Sequence, residues 1–128
     1  MRLILAAIII LVGWSVVGAV AHRLLLEPLY ASSARLWRPL AEMSTTLIIA
    51  ATLILVLVFV VTYGALIQPK SLGSAVLFGG LLGLALGTAS GLGTYIHSPI
   101  PAALAGGWFG LGLLKGILAG VVLGLFVE

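Results

Sequence analysis

Long apolar runs alternate with short polar stretches along this sequence. Residues 3–21 carry no charge, and residues 44–67 form a second uncharged run. The uncharged stretch 71–114 would make a helix of about 66 Å, twice the thickness of a bilayer's hydrocarbon core. It must therefore fold back, and Pro99 and Pro101 supply the break. We predict an all-α integral membrane four-helix bundle, one transmembrane domain over 1–128, with spans at about 3–26, 44–67, 72–96 and 101–127.

The N-terminal run has a second interpretation, a cleaved signal peptide, because Met1 and Arg2 precede it. The apolar region of a signal peptide is about 7–15 residues long, whereas a membrane span needs about 20. Residues 3–21 approach the longer value. We therefore interpret this run as an uncleaved first membrane helix.

The only polar segment lies between the first two spans. Residues 22–44 hold five of the nine charged side chains, at Arg23, Glu27, Arg35, Arg38 and Glu42. In a helix, the charges from Arg35 to Glu42 would share one face, and four apolar side chains would share another: Leu29, Leu36, Leu40 and Met43. Such a segment predicts an interfacial amphipathic helix lying on the membrane surface. A break at Arg38 is the alternative, because Pro39 disfavours the helical conformation of the preceding residue.

Glycines recur every fourth residue in the last two spans. The first run is Gly79, Gly83, Gly87 and Gly91, and the second is Gly112, Gly116, Gly120 and Gly124. A spacing of four keeps these residues on one face of a helix. Glycine weakens a helix in water, but in lipid it lets two helix backbones approach closely. The pattern predicts that the third and fourth spans pack glycine face to glycine face, as a glycine zipper.

Composition supports lipid as the solvent of this chain. It is 62% hydrophobic and 7% charged, with a mean hydropathy of +1.36, whereas soluble domains carry about 25% charged residues. The net charge of +3 fits topology signals and contacts with lipid headgroups, and we expect no nucleic-acid partner. The absence of cysteine excludes disulfides, iron–sulfur clusters and thiolate metal sites.

Lys115 is the most unusual residue, because it lies at the middle of the fourth span. An ionisable group at that depth costs at least about 2.5 kcal/mol and is a functional candidate. Three environments are open. In the first, the ammonium pairs with a carboxylate or bound anion from another chain. In the second, it bonds to Thr88, Ser90 or backbone carbonyls. In the third, it is a neutral or lipid-facing amine. We predict a contact with a partner or an anion at Lys115, with Arg35 and Arg38 as further contact residues.

Two histidines, His22 and His97, end the first and third spans on the same side of the membrane. A pair of histidines can ligate haem iron, and a single one can ligate a chlorophyll-type magnesium. The simpler interpretation is that both side chains are solvated at headgroup level. Neither a cofactor nor a metal site is our first expectation.

Two short stretches resemble an uncharacterised group of small four-span bacterial inner-membrane proteins. They are the segment from Leu36 to Met43, which precedes an apolar helix, and the turn from Tyr95 to Pro101. The resemblance implies a multi-pass protein of the bacterial inner (cytoplasmic) membrane.

Several functions fit these features. The first hypothesis is a non-catalytic accessory or structural subunit of a larger membrane-protein complex, of respiratory or photosynthetic energy-transducing type. The second is a homo-oligomeric transporter or channel for small anions that uses Lys115. The third is a haem- or pigment-binding protein. We expect no enzyme, because the sequence has no paired acids and no nucleophile, zinc or phosphate-loop motif. The expected partners are lipid, other membrane subunits and further copies of the chain.

Overall fold

The computed structural model describes residues 1–127 and consists of helices joined by short connections. Four helices are long and apolar enough to cross a membrane, and each of their ends lies within one residue of the predicted bound. A short helix, α2, follows the first of them. The helices are α1 (Arg2–Leu25), α2 (Glu27–Ser32), α3 (Thr45–Leu66), α4 (Leu72–His97) and α5 (Ala102–Phe126).

The four long helices alternate in direction, so the bundle has two ends. At the His22 end, α1 and α4 finish, α3 and α5 begin, and residues 26–44 form the connection. At the Lys70 end, α3 finishes and α4 begins across a short turn. These two names are used below for the two ends of the bundle.

Polar side chains cap the helices on both sides of the Lys70 turn. The Lys70 ammonium donates to the carbonyls of Tyr63 (2.8 Å), Gly64 (3.1 Å) and Ile67 (2.6 Å), and so satisfies the C-terminal end of α3. Ser71 and Ser74 form a reciprocal capping box at the start of α4. The Lys70 ammonium is therefore bound to the end of α3 and is not a free cation.

Helices α4 and α5 lie so close that a side chain would not fit between them. A Cβ atom placed on Gly83 would lie 2.8 Å from the carbonyl oxygen of Gly112 and 2.9 Å from the Cα of Gly116. A Cβ on Gly112 would lie 2.6 Å from the Cα of Gly87. These distances are shorter than real Cβ contacts, so the backbones at these positions require glycine.

The core of the bundle fills the half towards the Lys70 end. Trp14 of α1 packs edge-on against Phe59 of α3, with ring centroids 5.0 Å apart, and Phe59 packs on Phe78 of α4 at 5.7 Å. The other buried side chains of this cluster come from all four long helices: Ala6, Ile10, Val56, Val60, Tyr63, Ala75, Ala119, Leu123 and Val127. Apolar side chains thus close this half of the interior.

The connection between α1 and α3 corrects the prediction of one amphipathic helix. Helix α2 ends at Ser32, a 3₁₀ turn follows at Ala34–Leu36, and Trp37 is extended with φ −114° and ψ 148°. A second 3₁₀ turn begins after Pro39, so the alternative of a break at Arg38 is the one observed. The charged and apolar side chains of this segment therefore do not form two faces of a single helix.

Candidate functional site: the Lys115 cleft

Helix α3 joins the bundle through only one half of its length. Its buried residues are Val56, Phe59, Val60 and Tyr63, whereas residues 45–51 are all exposed. Its ring contacts with α4 go through Phe78, which faces both Phe59 and Tyr63. Because these contacts lie towards the Lys70 end, α3 and α4 leave a gap between them towards the His22 end.

This gap holds an open cavity of about 400 Å³, here named the Lys115 cleft. All four long helices, α1, α3, α4 and α5, contribute residues to its walls. The lining residues are Trp14, His22, Thr52, Leu55, Leu86, Ser90, Trp108, Leu111, Gly112 and Lys115. A mostly apolar and aromatic cavity with a few convergent polar groups is typical of a binding site.

Lys115 forms the inner end of the cleft. It lies 13 residues after Ala102, about 20 Å along α5 from its start. Its ammonium lies against α1 beside Gly18, where a Cβ atom would be 3.0 Å from Nζ, and 6.0 Å from the centre of the Trp14 ring. The Trp14 indole N–H donates to the Lys115 carbonyl at 2.8 Å and fixes α1 to α5 at this level.

The ammonium of Lys115 has no counter-charge within residues 1–127. It makes no hydrogen bond and no ion pair with any residue of this range. The alternative of bonds to Thr88 and Ser90 is not observed: Thr88 does not line the cleft, and the Ser90 hydroxyl donates to the Leu86 carbonyl at 2.9 Å. Thr52 likewise donates to its own helix, at the Ile48 carbonyl. The cleft therefore contains an amine without an oxyanion partner in residues 1–127.

Two helical turns around the cleft are wider than the α-helix. Residues Ala21–Leu25 of α1 and Thr88–Gly93 of α4 are π-helical, and they carry His22 and Ser90. Such turns are rare and frequently occur at functional sites. Both polar residues thus reach the cleft from irregular turns, which the helical spacing of the sequence does not reveal.

A hydrogen-bonded chain of side chains lies beside the cleft at the His22 end. The Trp108 indole N–H donates to the Tyr30 hydroxyl oxygen at 2.6 Å, and the same hydroxyl bonds His22 Nδ1 at 2.6 Å. Burial raises the pKa of Tyr30 above its usual 10.0, and the bond from Trp108 opposes that shift. The chain ties the connecting segment to α5 directly beside the cleft.

Trp37 holds the rest of the connection on this aromatic group. Its ring lies edge-on to Tyr30 at 5.5 Å and to Trp108 at 5.6 Å, and its indole N–H donates to the Ser33 hydroxyl at 3.0 Å. Sequence reasoning did not find this group, because Tyr30 and Trp108 are 78 positions apart. The only available signal was that Tyr30 and Trp37 follow the first span and that Trp108 lies near the start of the fourth.

The structure separates the other candidate residues from Lys115. His97 is exposed at the end of α4 and is not among the cleft residues, so the two histidines have different surroundings. Arg35 and Arg38 are exposed on the connecting segment. No cluster of three or more metal-ligating side chains occurs in the described part of the chain. Of the predicted contact and ligand residues, the structure brings together only Lys115 and His22.

A cation at the end of an apolar cleft attracts an oxyanion, because pairing offsets the cost of holding a charge away from water. The cleft can therefore bind a carboxylate or phosphate group. Comparison of the chain with protein-family models, curated proteins and solved structures finds no match.

Proposed function

We propose that this chain is a non-catalytic accessory subunit of a larger membrane-protein complex in a bacterial inner membrane, of energy-transducing type. One observation carries the proposal: the Lys115 ammonium lies near the middle of a membrane-spanning helix without a counter-charge in residues 1–127. A charge left unpaired at that depth is costly, so the complete assembly supplies a partner for it. That partner belongs to a neighbouring subunit.

The packing of the bundle supports a structural role. We propose that the α4–α5 pair acts as a glycine zipper in lipid, since its backbones approach too closely for any side chain. This pair forms a rigid wall against which the cleft is built. The first half of α3, which has no buried residue before Val56, is left for contact with lipid or with a partner.

The second candidate function is a small-anion transporter or channel that uses Lys115, and the cleft is the observation that favours it. A conduction path would have to continue from Lys115 to the Lys70 end. That half of the interior is occupied by buried side chains, among them Ile10, Phe59 and Leu123. The closed half favours a subunit that receives a partner over a subunit that conducts an anion.

Purification from native membrane tests the proposed function. The chain is tagged at its natural expression level and extracted in a mild detergent. We expect it to migrate in an assembly much larger than its own 13.2 kDa, with other membrane subunits in a fixed stoichiometry that does not depend on the tag position. A chain that migrates alone, or only with copies of itself, contradicts the proposal.

Anion flux into liposomes tests the second candidate. We expect purified chain to give no flux above that of empty liposomes. A flux that Lys115→Met abolishes, and that Leu114→Met leaves unchanged, would favour the transporter instead.

A further inference from the structure

We infer that the Lys115 cleft receives a membrane-spanning helix from another subunit, and that this helix carries a carboxylate at the depth of Lys115. The inference rests on the proposed function, and it names the site of contact and the chemistry of the partner. The carboxylate enters through the gap between α3 and α4 and pairs with the ammonium.

The cavity of about 400 Å³ has room for side chains of a helix that docks over the gap, and not for the helix itself. The contacts of Phe78 with Phe59 and Tyr63 join α3 to α4 in the half towards the Lys70 end, where a shallow cavity of about 410 Å³ lies outside them. The Lys115 cleft lies in the other half, towards the His22 end. On one side of the gap, residues 45–51 of α3 are exposed over about two helical turns, and Thr52 and Leu55 line the cleft. On the other side, α4 presents Ser90, which is small and exposed. Small side chains let a neighbouring membrane helix approach closely.

The depth of Lys115 favours a carboxylate carried by a helix over a lipid headgroup. The Lys115 backbone is about 20 Å along α5 from its start, and its ammonium lies beside Gly18, about 10 Å before the end of α1. The oxyanions of lipids belong to the headgroup layer outside the hydrocarbon core. A lipid would have to draw its charged head through apolar surroundings to reach the ammonium. A glutamate or aspartate in a membrane helix already lies at the required depth, and intramembrane charges normally pair with one another.

A second copy of the chain does not supply this carboxylate. The acidic residues of the sequence are Glu27, Glu42 and Glu128. Glu27 and Glu42 lie in the connection at the His22 end, and Glu128 follows the last membrane span in the sequence. Neither Glu27 nor Glu42 is placed along a membrane span at the level of Lys115, and Glu128 lies outside the described residues, 13 positions after Lys115 in the sequence. We therefore take the occupant to be a different protein.

The test uses a defined probe, a synthetic leucine- and alanine-rich peptide of about 23 residues that spans the bilayer. It carries one glutamate at its centre and a photoreactive leucine one turn away. A matched peptide carries glutamine in place of the glutamate. The full chain is reconstituted with each peptide, irradiated, and the labelled residues are mapped by mass spectrometry. The chain variants are Lys115→Met, Lys115→Arg and, as a matched control at an exposed neighbouring position, Leu114→Met.

We expect the glutamate peptide to label α3 over residues 45–55 and α4 over residues 86–97, about tenfold more than the glutamine peptide, which corresponds to roughly 1.4 kcal/mol. Lys115→Met should remove this difference, whereas Lys115→Arg and Leu114→Met should keep it. Equal labelling by the two peptides, or labelling spread evenly over the four long helices, would overturn the inference.

A competition arm separates the helix from a lipid source of the same oxyanion. Oleate, added in excess, should leave the labelling by the glutamate peptide in place. Loss of labelling to oleate, but not to oleyl alcohol, would assign the cleft to a lipid oxyanion and overturn the inference. A native assembly of fixed stoichiometry combined with equal labelling would retain the proposed function and remove only this inference.

Discussion

Lys115 owes its position to a glycine on the neighbouring helix. The ammonium lies against Gly18, where a Cβ atom would be 3.0 Å from Nζ, and the Trp14 indole bonds the backbone of Lys115. The side chain is therefore directed along α1 within the bundle, while its charge has no partner in the described chain. The backbone bond from Trp14 does not depend on the side chain, so the residue at 115 can be changed without removing it.

Replacing Lys115 should stabilise the isolated chain. Lys115→Met removes a charge held at mid-depth and no ion pair, so we expect the free energy of unfolding in bilayers to rise by about 2–3 kcal/mol. Reversible unfolding followed by circular dichroism measures the change, with Leu114→Met as the control. A loss of stability in the methionine variant would mean that the ammonium has a stabilising partner within the chain.

Tyr30 links the connecting segment to the cleft in a pH-dependent way. Its pKa is raised above 10.0 in the folded protein, so its contribution to stability is fully present below pH 10. This contribution is lost as the pH rises through the folded pKa. Fluorescence of Trp37 and Trp108 should therefore change above pH 10 in the wild type, and the change should be smaller in Tyr30→Phe. The same alkaline response in both proteins would remove Tyr30 from this role.

At the level of elements, the α4–α5 pair is the least tolerant of added volume. Gly83→Leu and Gly116→Leu should each prevent stable folding, because their side chains would meet the backbone of the opposite helix. Leu55→Ala is the control, since Leu55 lines the cleft and is 40% exposed. Thermal stability in detergent measures the difference, and equal losses in the three variants would place the glycines outside the helix contact.

The end of α3 depends on Lys70. Its ammonium donates to the carbonyls of Gly64 and Ile67 and to that of Tyr63, which also accepts from the Ile67 N–H. Lys70→Met should lower the free energy of unfolding by about 1.5–3 kcal/mol, the usual range for hydrogen bonds to a charged group. Lys70→Arg keeps the donors and should lose less. Hydrogen exchange at the C-terminal turn of α3 would show the loss locally, and unchanged exchange would contradict the capping role.

The bounds of the four long helices were predictable from the sequence, because a bilayer fixes the length of an apolar run and prolines mark the break near Ile100. The connection between α1 and α3 was not predictable to the same degree. Its conformation depends on contacts of Tyr30 and Trp37 with Trp108, which belongs to a distant part of the sequence. Local helical periodicity carries no information about such contacts, so the prediction of one amphipathic helix was wrong.

The candidate site was predictable only in part. Lys115 stands out in the sequence because it interrupts a long apolar run, and this signal needs no knowledge of the fold. The cleft around it arises because α3 contacts α4 through Phe78 in one half of the bundle only. The spacing of apolar residues predicts neither the separation of α3 from α4 towards the His22 end nor the π-helical turns that carry His22 and Ser90.

For the whole molecule, the two halves of the bundle have different roles. The half towards the Lys70 end is filled by buried apolar side chains and holds the four long helices together. The half towards the His22 end contains the Lys115 cleft and the connecting segment tied to it by Tyr30 and Trp108. We propose that the first half provides stability and that the second receives a charged partner.

The most direct measurement is the fraction of the chain that migrates in a larger native assembly when Lys115 is changed. Wild type, Lys115→Arg and Leu114→Met should remain mostly assembled, whereas Lys115→Met should move at least about tenfold more chain into the unassembled form. This shift should occur while the isolated methionine variant is folded and at least as stable as the wild type. An unchanged assembled fraction in Lys115→Met would contradict the claim that the charge of Lys115 is completed by another subunit.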